Sequence, residues 1–124
     1  MVKLVFCLHR LPHLSRDEFQ RYWREQHGPL VRRHAAALHL ERYVQLHSLP
    51  AEAPANEGLR VSRGAPEGYD GIAELWWRSE EDLAAATAAD EGRRASVELL
   101  EDERRFIDLA RSPLWLAREH VVIG

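Results

Sequence analysis

One cysteine and one lysine stand among 124 residues. With Cys7 alone, an internal disulfide is impossible and a four-cysteine zinc site is excluded. No apolar run approaches the roughly 18 residues of a membrane span. The stretch after Met1 is apolar but short and has no small-residue cleavage site, so no secretory leader is expected and the cytoplasm is the expected compartment. An excess of positive charge is missing too. Seventeen basic and twenty acidic side chains leave a formal charge of −3, which argues against nucleic-acid and anionic-membrane partners. Neither common glycine-rich phosphate loop occurs, nor a serine nucleophile elbow, so nothing points to nucleotide, flavin or haem. Seven histidines invite a metal reading, but none forms a helical pair at ligand spacing. His9 and His13 straddle a proline turn, and His34 and His39 diverge by about 140° round a helix. No metal and no organic cofactor are expected.

What is present is one globular domain over residues 1–124, 45% hydrophobic and 30% charged, long enough to close its own core. Sixteen arginines and abundant alanine suggest a high-GC bacterial genome. Lys3 to His9 is a β-rich run stopped by Pro12. Ser15-Arg16-Asp17-Glu18 is a capping box. Phe19, Trp23, His27, Leu30, Val31 and Leu38 then trace one stripe of a long helix, with a kink or restart expected at Gly28-Pro29. Residues 41–49 alternate as a second strand. Residues 50–68, rich in Pro and Gly, are expected to form a long loop, either lid or connection. Tyr69 to Arg78 is a third strand. An alanine-rich helix starts at Ser79, breaks at Asp90-Glu91-Gly92 and resumes to Leu100. A last strand is expected over 114–123.

The order is βαββαβ. Two helices on one face of a four-stranded antiparallel sheet make an α+β, ferredoxin-like arrangement. Phe6, Val44, Leu46, Leu75, Trp77, Val121 and Ile123 are more apolar groups than a solvent-facing side of the sheet would carry. The second face is therefore expected to be covered by the same sheet of a second copy, giving a homodimer.

Several segments carry a family resemblance: Phe19…Tyr22-Trp23…His27-Gly28-Pro29, then Arg42-Tyr43-Val44-Gln45, Tyr69-Asp70-Gly71-Ile72-Ala73-Glu74 and Asp102…Phe106-Ile107-Asp108. Together they resemble the EthD-type family of dimeric α/β-barrel proteins, over most of the chain except the 50–68 loop. The resemblance implies a ferredoxin-like dimer. It associates the chain with ether degradation as an accessory protein, or with decarboxylation and dehydration of aromatic polyketide intermediates. The wider superfamily adds cofactor-free monooxygenases, cyclases and lactone isomerases, and no catalytic motif transfers.

His27 is the leading candidate for chemistry. It lies one turn after Trp23 on the inward stripe, beside the expected break. There it is either a general acid or base near neutral pH or a core histidine bonded to a loose carbonyl. Tyr43, Gln45 and His47 share one face of the second strand, taken as central or near-central. They line either a cavity or the sheet-to-sheet interface. Glu74 lies between Ile72 and Trp76. It is either a desolvated proton-transfer acid or the partner of an arginine across the dimer. The expected site therefore has His27, Tyr43 and Glu74 as catalytic residues, with Tyr22, Trp23, His47, Trp77 and Phe106 around a small hydrophobic or aromatic ligand. The functional expectation is a small-molecule enzyme without metal or organic cofactor, working by acid–base chemistry. Decarboxylation, dehydration, isomerisation, cyclisation and cofactor-free oxygenation all fit. The alternative is a non-catalytic dimeric accessory or binding protein.

Overall fold

A computed structural model describes residues 1–124. Strand β1 is Val2–Leu8. The capping box forms as its sequence requires. Ser15 accepts from the Glu18 N–H, the Glu18 carboxylate accepts from the Ser15 N–H, and α1 runs Arg16–Tyr22. Next, Trp23–His27 winds as a π-turn before α2, Gly28–His34. The cause is Pro29. It offers no N–H to the preceding turn and its ring crowds that turn's carbonyls. Widening the turn relieves both, and the Gly28 N–H closes it on the Trp23 carbonyl, five residues back. The expected interruption is there, built as a π-turn rather than a kink. Such turns recur where a helix presents functional groups.

Strand β2 is Arg42–His47 and β3 is Gly71–Trp77. Between them the expected loop carries a helix, α3, over Pro54–Ser62, started by Pro54 at its first position. It buries no residue. Helix α4, Glu80–Ala88, is capped by Ser79. The break falls at Ala89, whose backbone is extended, so that α5 already begins at Asp90 and runs unbroken to Glu103. Gly92 is inside α5 because it packs, not because it breaks: a Cβ there would lie 1.9 Å from the Ala86 carbonyl oxygen. Strand β4 is only Leu114–Ala117, and Val121 to Ile123 are exposed beyond it. The expected long final strand is therefore cut to its first four residues.

The sheet order is β2-β3-β1-β4, every neighbouring pair antiparallel. β2 is thus an edge strand, not a central one. The helices cover one face. Phe6, Leu8, Phe19, Trp23, Ala73, Phe106 and Ile107 form one core cluster there, and Leu30, Val31, Leu38, Ala95 and Leu99 a second. The stripe through Phe19, Trp23, Leu30 and Leu38 is buried throughout. Strand alternation places Phe6, Leu75 and Trp77 on this helix-covered side, not on the open one. The open face carries Lys3, Val5, Ile72, Glu74, Trp76, Val44, Leu46 and Trp115. At its centre Lys3 and Glu74 form an ion pair, with the Lys3 ammonium and the Arg42 guanidinium over the Trp76 ring.

Candidate functional site

Between the helices and the sheet lies a partly open cavity of about 180 Å³. Its walls include Leu4, Phe6, Leu75, Leu99, Ile107 and Leu114. Four side chains bring polar groups or an aromatic edge to it: His27 from the π-turn, Trp23 one turn before it, Tyr43 from β2, and Glu103 from the last turn of α5.

His27 is buried and its protonation pattern follows from its neighbour. Its Nδ1–H donates to the Asp102 carboxylate at 2.7 Å. Nε2 is then the basic nitrogen. Burial lowers the imidazole pKa, and although the hydrogen bond and charge of Asp102 pull it upward, burial prevails. The ring is therefore neutral near pH 7, a base with an available lone pair. Asp102 is buried as well. Burial pushes its pKa up, but the Tyr22 hydroxyl at 2.5 Å, His27, and the Arg105 guanidinium at 3.1 Å together hold it below the ordinary carboxylate range. It is an anion with three donors, fixing the tautomer and orientation of His27.

Tyr43 is wired just as definitely. Its oxygen accepts from Trp23 Nε1–H at 3.2 Å and from Gln45 Nε2–H at 3.0 Å. Both lone pairs are occupied, so the hydroxyl proton is free to be donated towards the cavity. Burial raises its pKa to about 12. Tyr43 is a hydrogen-bond donor and not a base. Gln45 is held by the π-turn: its Nε2 also donates to the Trp23 carbonyl at 2.9 Å. That leaves its Oε1 to accept from His47 Nε2–H at 2.8 Å. Glycine at position 71 permits the arrangement, because a Cβ there would sit 2.4 Å from the Trp23 ring.

Glu103 has no paired cation; Arg105, two residues on, reaches Asp102 instead. Burial and the neighbouring Asp102 charge raise the Glu103 carboxyl to about 7.

The expected site residues divide. His27, Tyr43 and Trp23 are brought together at the cavity. Tyr43 and His47 face the helices, so the sheet-to-sheet interface reading of that pair is corrected. His47 stacks on Trp23, with ring centroids 4.6 Å apart, and lines a separate cleft of about 650 Å³ beside α3. Tyr22 and Phe106 stand behind the site. Tyr22 holds Asp102, and Phe106 packs against Tyr22 and His27. Trp77 is on the right face but at the far end of β3, with its Nε1–H on the Leu38 carbonyl. Glu74 is not part of the site. It lies on the open face, paired with Lys3 of the same chain rather than with an arginine of another. Strand parity makes this unavoidable, since Ala73 and Leu75 face the cavity. Asp102 and Glu103 were not among the expected site residues. The signal was present: Ala95, Leu99, Asp102 and Phe106 repeat at 4-3-4 spacing, which sets Asp102 on the buried stripe of α5.

The EthD domain model matches residues 11–110. No protein of curated function matches. Among solved structures, an EthD family protein from Bacillus halodurans superposes with a TM-score of 0.62 at 20% identity, covering 97% of this chain and 99% of that one. An EthD-like protein from Ralstonia eutropha gives 0.62 at 19%, covering 99% and 96%. A dimeric protein of ferredoxin-like fold from Bacteroides fragilis gives 0.58 at 8%, covering 95% of each.

Proposed function

The chain belongs to the EthD family, and from that premise we propose that it is an enzyme that moves protons on a small aromatic or polyketide-like carbonyl compound. The reading rests on one observation: a neutral histidine, held by a buried aspartate, opens with a tyrosine hydroxyl onto an apolar cavity. His27 Nε2 takes a proton from carbon or oxygen. Tyr43 donates its free hydroxyl proton as a hydrogen bond to the oxygen on which negative charge develops. Apolar walls keep water from competing. Decarboxylation, dehydration, isomerisation, cyclisation and cofactor-free oxygenation share this requirement for a placed base and an oxyanion donor.

The cavity, about 180 Å³, compares with the roughly 150 Å³ that accepts benzene. It holds one ring with a substituent, and a longer compound extends past Leu114 at the mouth. A homodimer through the open sheet face completes the reading. Leu46 and Trp115 are exposed there, and the Bacteroides fragilis relative is described as dimeric.

The test uses a panel of monocyclic phenols and ketones. Binding is followed by NMR at His27 and Tyr43, and turnover by product analysis. His27→Asn should fold, still bind, and lose on the order of 10²–10⁴ in rate. Binding by the natural protein with no turnover of any bound compound would assign the accessory, non-catalytic role instead.

A further inference from the structure

The cavity holds two proton carriers, and the acid–base reading above uses one. His27 enters from the π-turn and Glu103 from the end of α5, and both line the same apolar space with the Tyr43 hydroxyl. An ordinary carboxylate at a helix end is solvated or ion-paired. Glu103 faces Leu99, Ile107 and the sheet, and no cation answers it. Its surroundings are sparse in charge: His27 from the π-turn, Tyr43 from β2, and Asp102 behind it on α5. From β1, β3 and β4 the cavity receives only apolar side chains.

We propose that Glu103 is the second catalytic group and delivers to one atom of the substrate the proton that replaces the one His27 removes from another. The substrate class is then a small, neutral, unconjugated enone, and the reaction a 1,3-proton shift. This rests on the proposed acid–base role of His27 and adds a second, separate step. His27 Nε2 takes a proton from the carbon between the carbonyl and the double bond. The C–H electron pair becomes a dienolate, whose oxygen accepts from the Tyr43 hydroxyl. The dienolate then takes the Glu103 proton at its far carbon, giving the conjugated enone. The proton left on His27 returns to Glu103 through solvent at the mouth, so nothing is consumed. Neutral substrate suits the site, because a buried anion beside Asp102 and Glu103 would be repelled. A carboxyl that is half protonated near pH 7 is matched to this duty.

The probe is cyclohex-3-enone, a single ring small enough for the cavity. Conjugation is read by ultraviolet absorbance. Exchange of the α-hydrogens in D₂O is read by NMR, which reports the first step alone. The wild-type protein should do both. Glu103→Gln, close in size and neutral, should slow conjugation by roughly 10²–10³-fold and leave exchange within a few-fold. His27→Asn should lose both. Conjugation at the wild-type rate in Glu103→Gln would overturn the proposal while the role of His27 stands. Exchange by the wild-type protein without conjugation would do the same. Absence of both in the wild-type protein, or exchange that survives His27→Asn, would remove the underlying reading. A readout without substrate is the carbon-13 signal of the Glu103 carboxyl. It should move near pH 7, and movement only in the ordinary carboxylate range would place the group in water and overturn the assignment.

Discussion

At the scale of single residues, two groups lining one cavity and a carboxylate behind it respond to pH in two directions. His27 is held below its usual pKa by burial, and Asp102 below its own by its three donors. Protonating either disfavours the fold. Their stabilisation is present at neutral pH and is lost as pH falls, through the usual histidine range for His27 and through the acid end for Asp102. Glu103 runs the other way. Its folded pKa is about 7 against 4.5 unperturbed. The folded state holds that proton more tightly, so stability falls as pH rises from 4.5 to 7. The predicted consequence is that Glu103→Gln gains stability relative to wild type across that window, by an amount on the order of 3 kcal/mol. Urea midpoints at pH 4.5 and pH 8 measure it, and a difference between the two proteins that does not change with pH would be inconsistent with a carboxyl whose pKa the fold raises. Asp102→Asn is the complementary change. The amide cannot hold His27 in the same tautomer as an anion does. Activity should fall by roughly 10²–10⁴ and the imidazole titration should move further down.

At the scale of elements, the chain disclosed some of its plan and hid the rest for identifiable reasons. The Ser15 capping box and the stripe to Leu38 were legible because cap and period agree. His27 followed from that stripe. Pro29 marked an interruption, but nothing in a sequence distinguishes a kink from a π-turn, since Trp23 O finds its second partner on β2, at Gln45. Gly92 read as a breaker because glycine is ambiguous between ending a helix and admitting a neighbour. Here it admits α4: Gly92→Ala should cost about 1–3 kcal/mol or prevent folding, because the obstacle is backbone that cannot swing aside. Thermal unfolding of the variant decides it. Helix α3 was hidden by its own composition, Pro and Gly with alanines, and it rests on no core. Leu59 is 61% exposed on it, so Leu59→Ala should shift stability by less than about 0.5 kcal/mol. The side of the sheet that Glu74 faces is not legible from its neighbours. A carboxylate between Ile72 and Trp76 looks desolvated whichever side it faces, and only the position of the helices says that it faces away from the cavity.

At the scale of the whole molecule, the ferredoxin-like sheet has one covered face and one bare one. The bare face is not built for water. Val5, Val44 and Ile72 surround the Lys3–Glu74 pair, and Leu46 and Trp115 flank them exposed. Cross-strand order fixes these side chains together, since Val5 and Val44 both pair with Glu74 on β3. A like face from a second copy would bury them symmetrically, each protomer presenting the same patch. Roughly 800 Å² per partner is the ordinary size of a stable interface, and a four-stranded sheet face offers that order of area. Apolar association would also remove water from Lys3, whose ammonium is already answered by both Glu74 and Glu119, the latter also accepting from Trp76 Nε1–H. The expected outcome is a species of about twice the 14.3 kDa chain mass in sedimentation at micromolar concentration. Val44→Arg puts a long cation into that face on the edge strand β2, beside Glu74. It should give a monomer at the same concentration, with the His27–Asp102–Tyr22 contacts intact because they lie beyond the sheet. A wild-type protein that sediments as one chain would leave the bare face without an occupant of its own kind, and a dimer that survives Val44→Arg would place the interface elsewhere on the molecule.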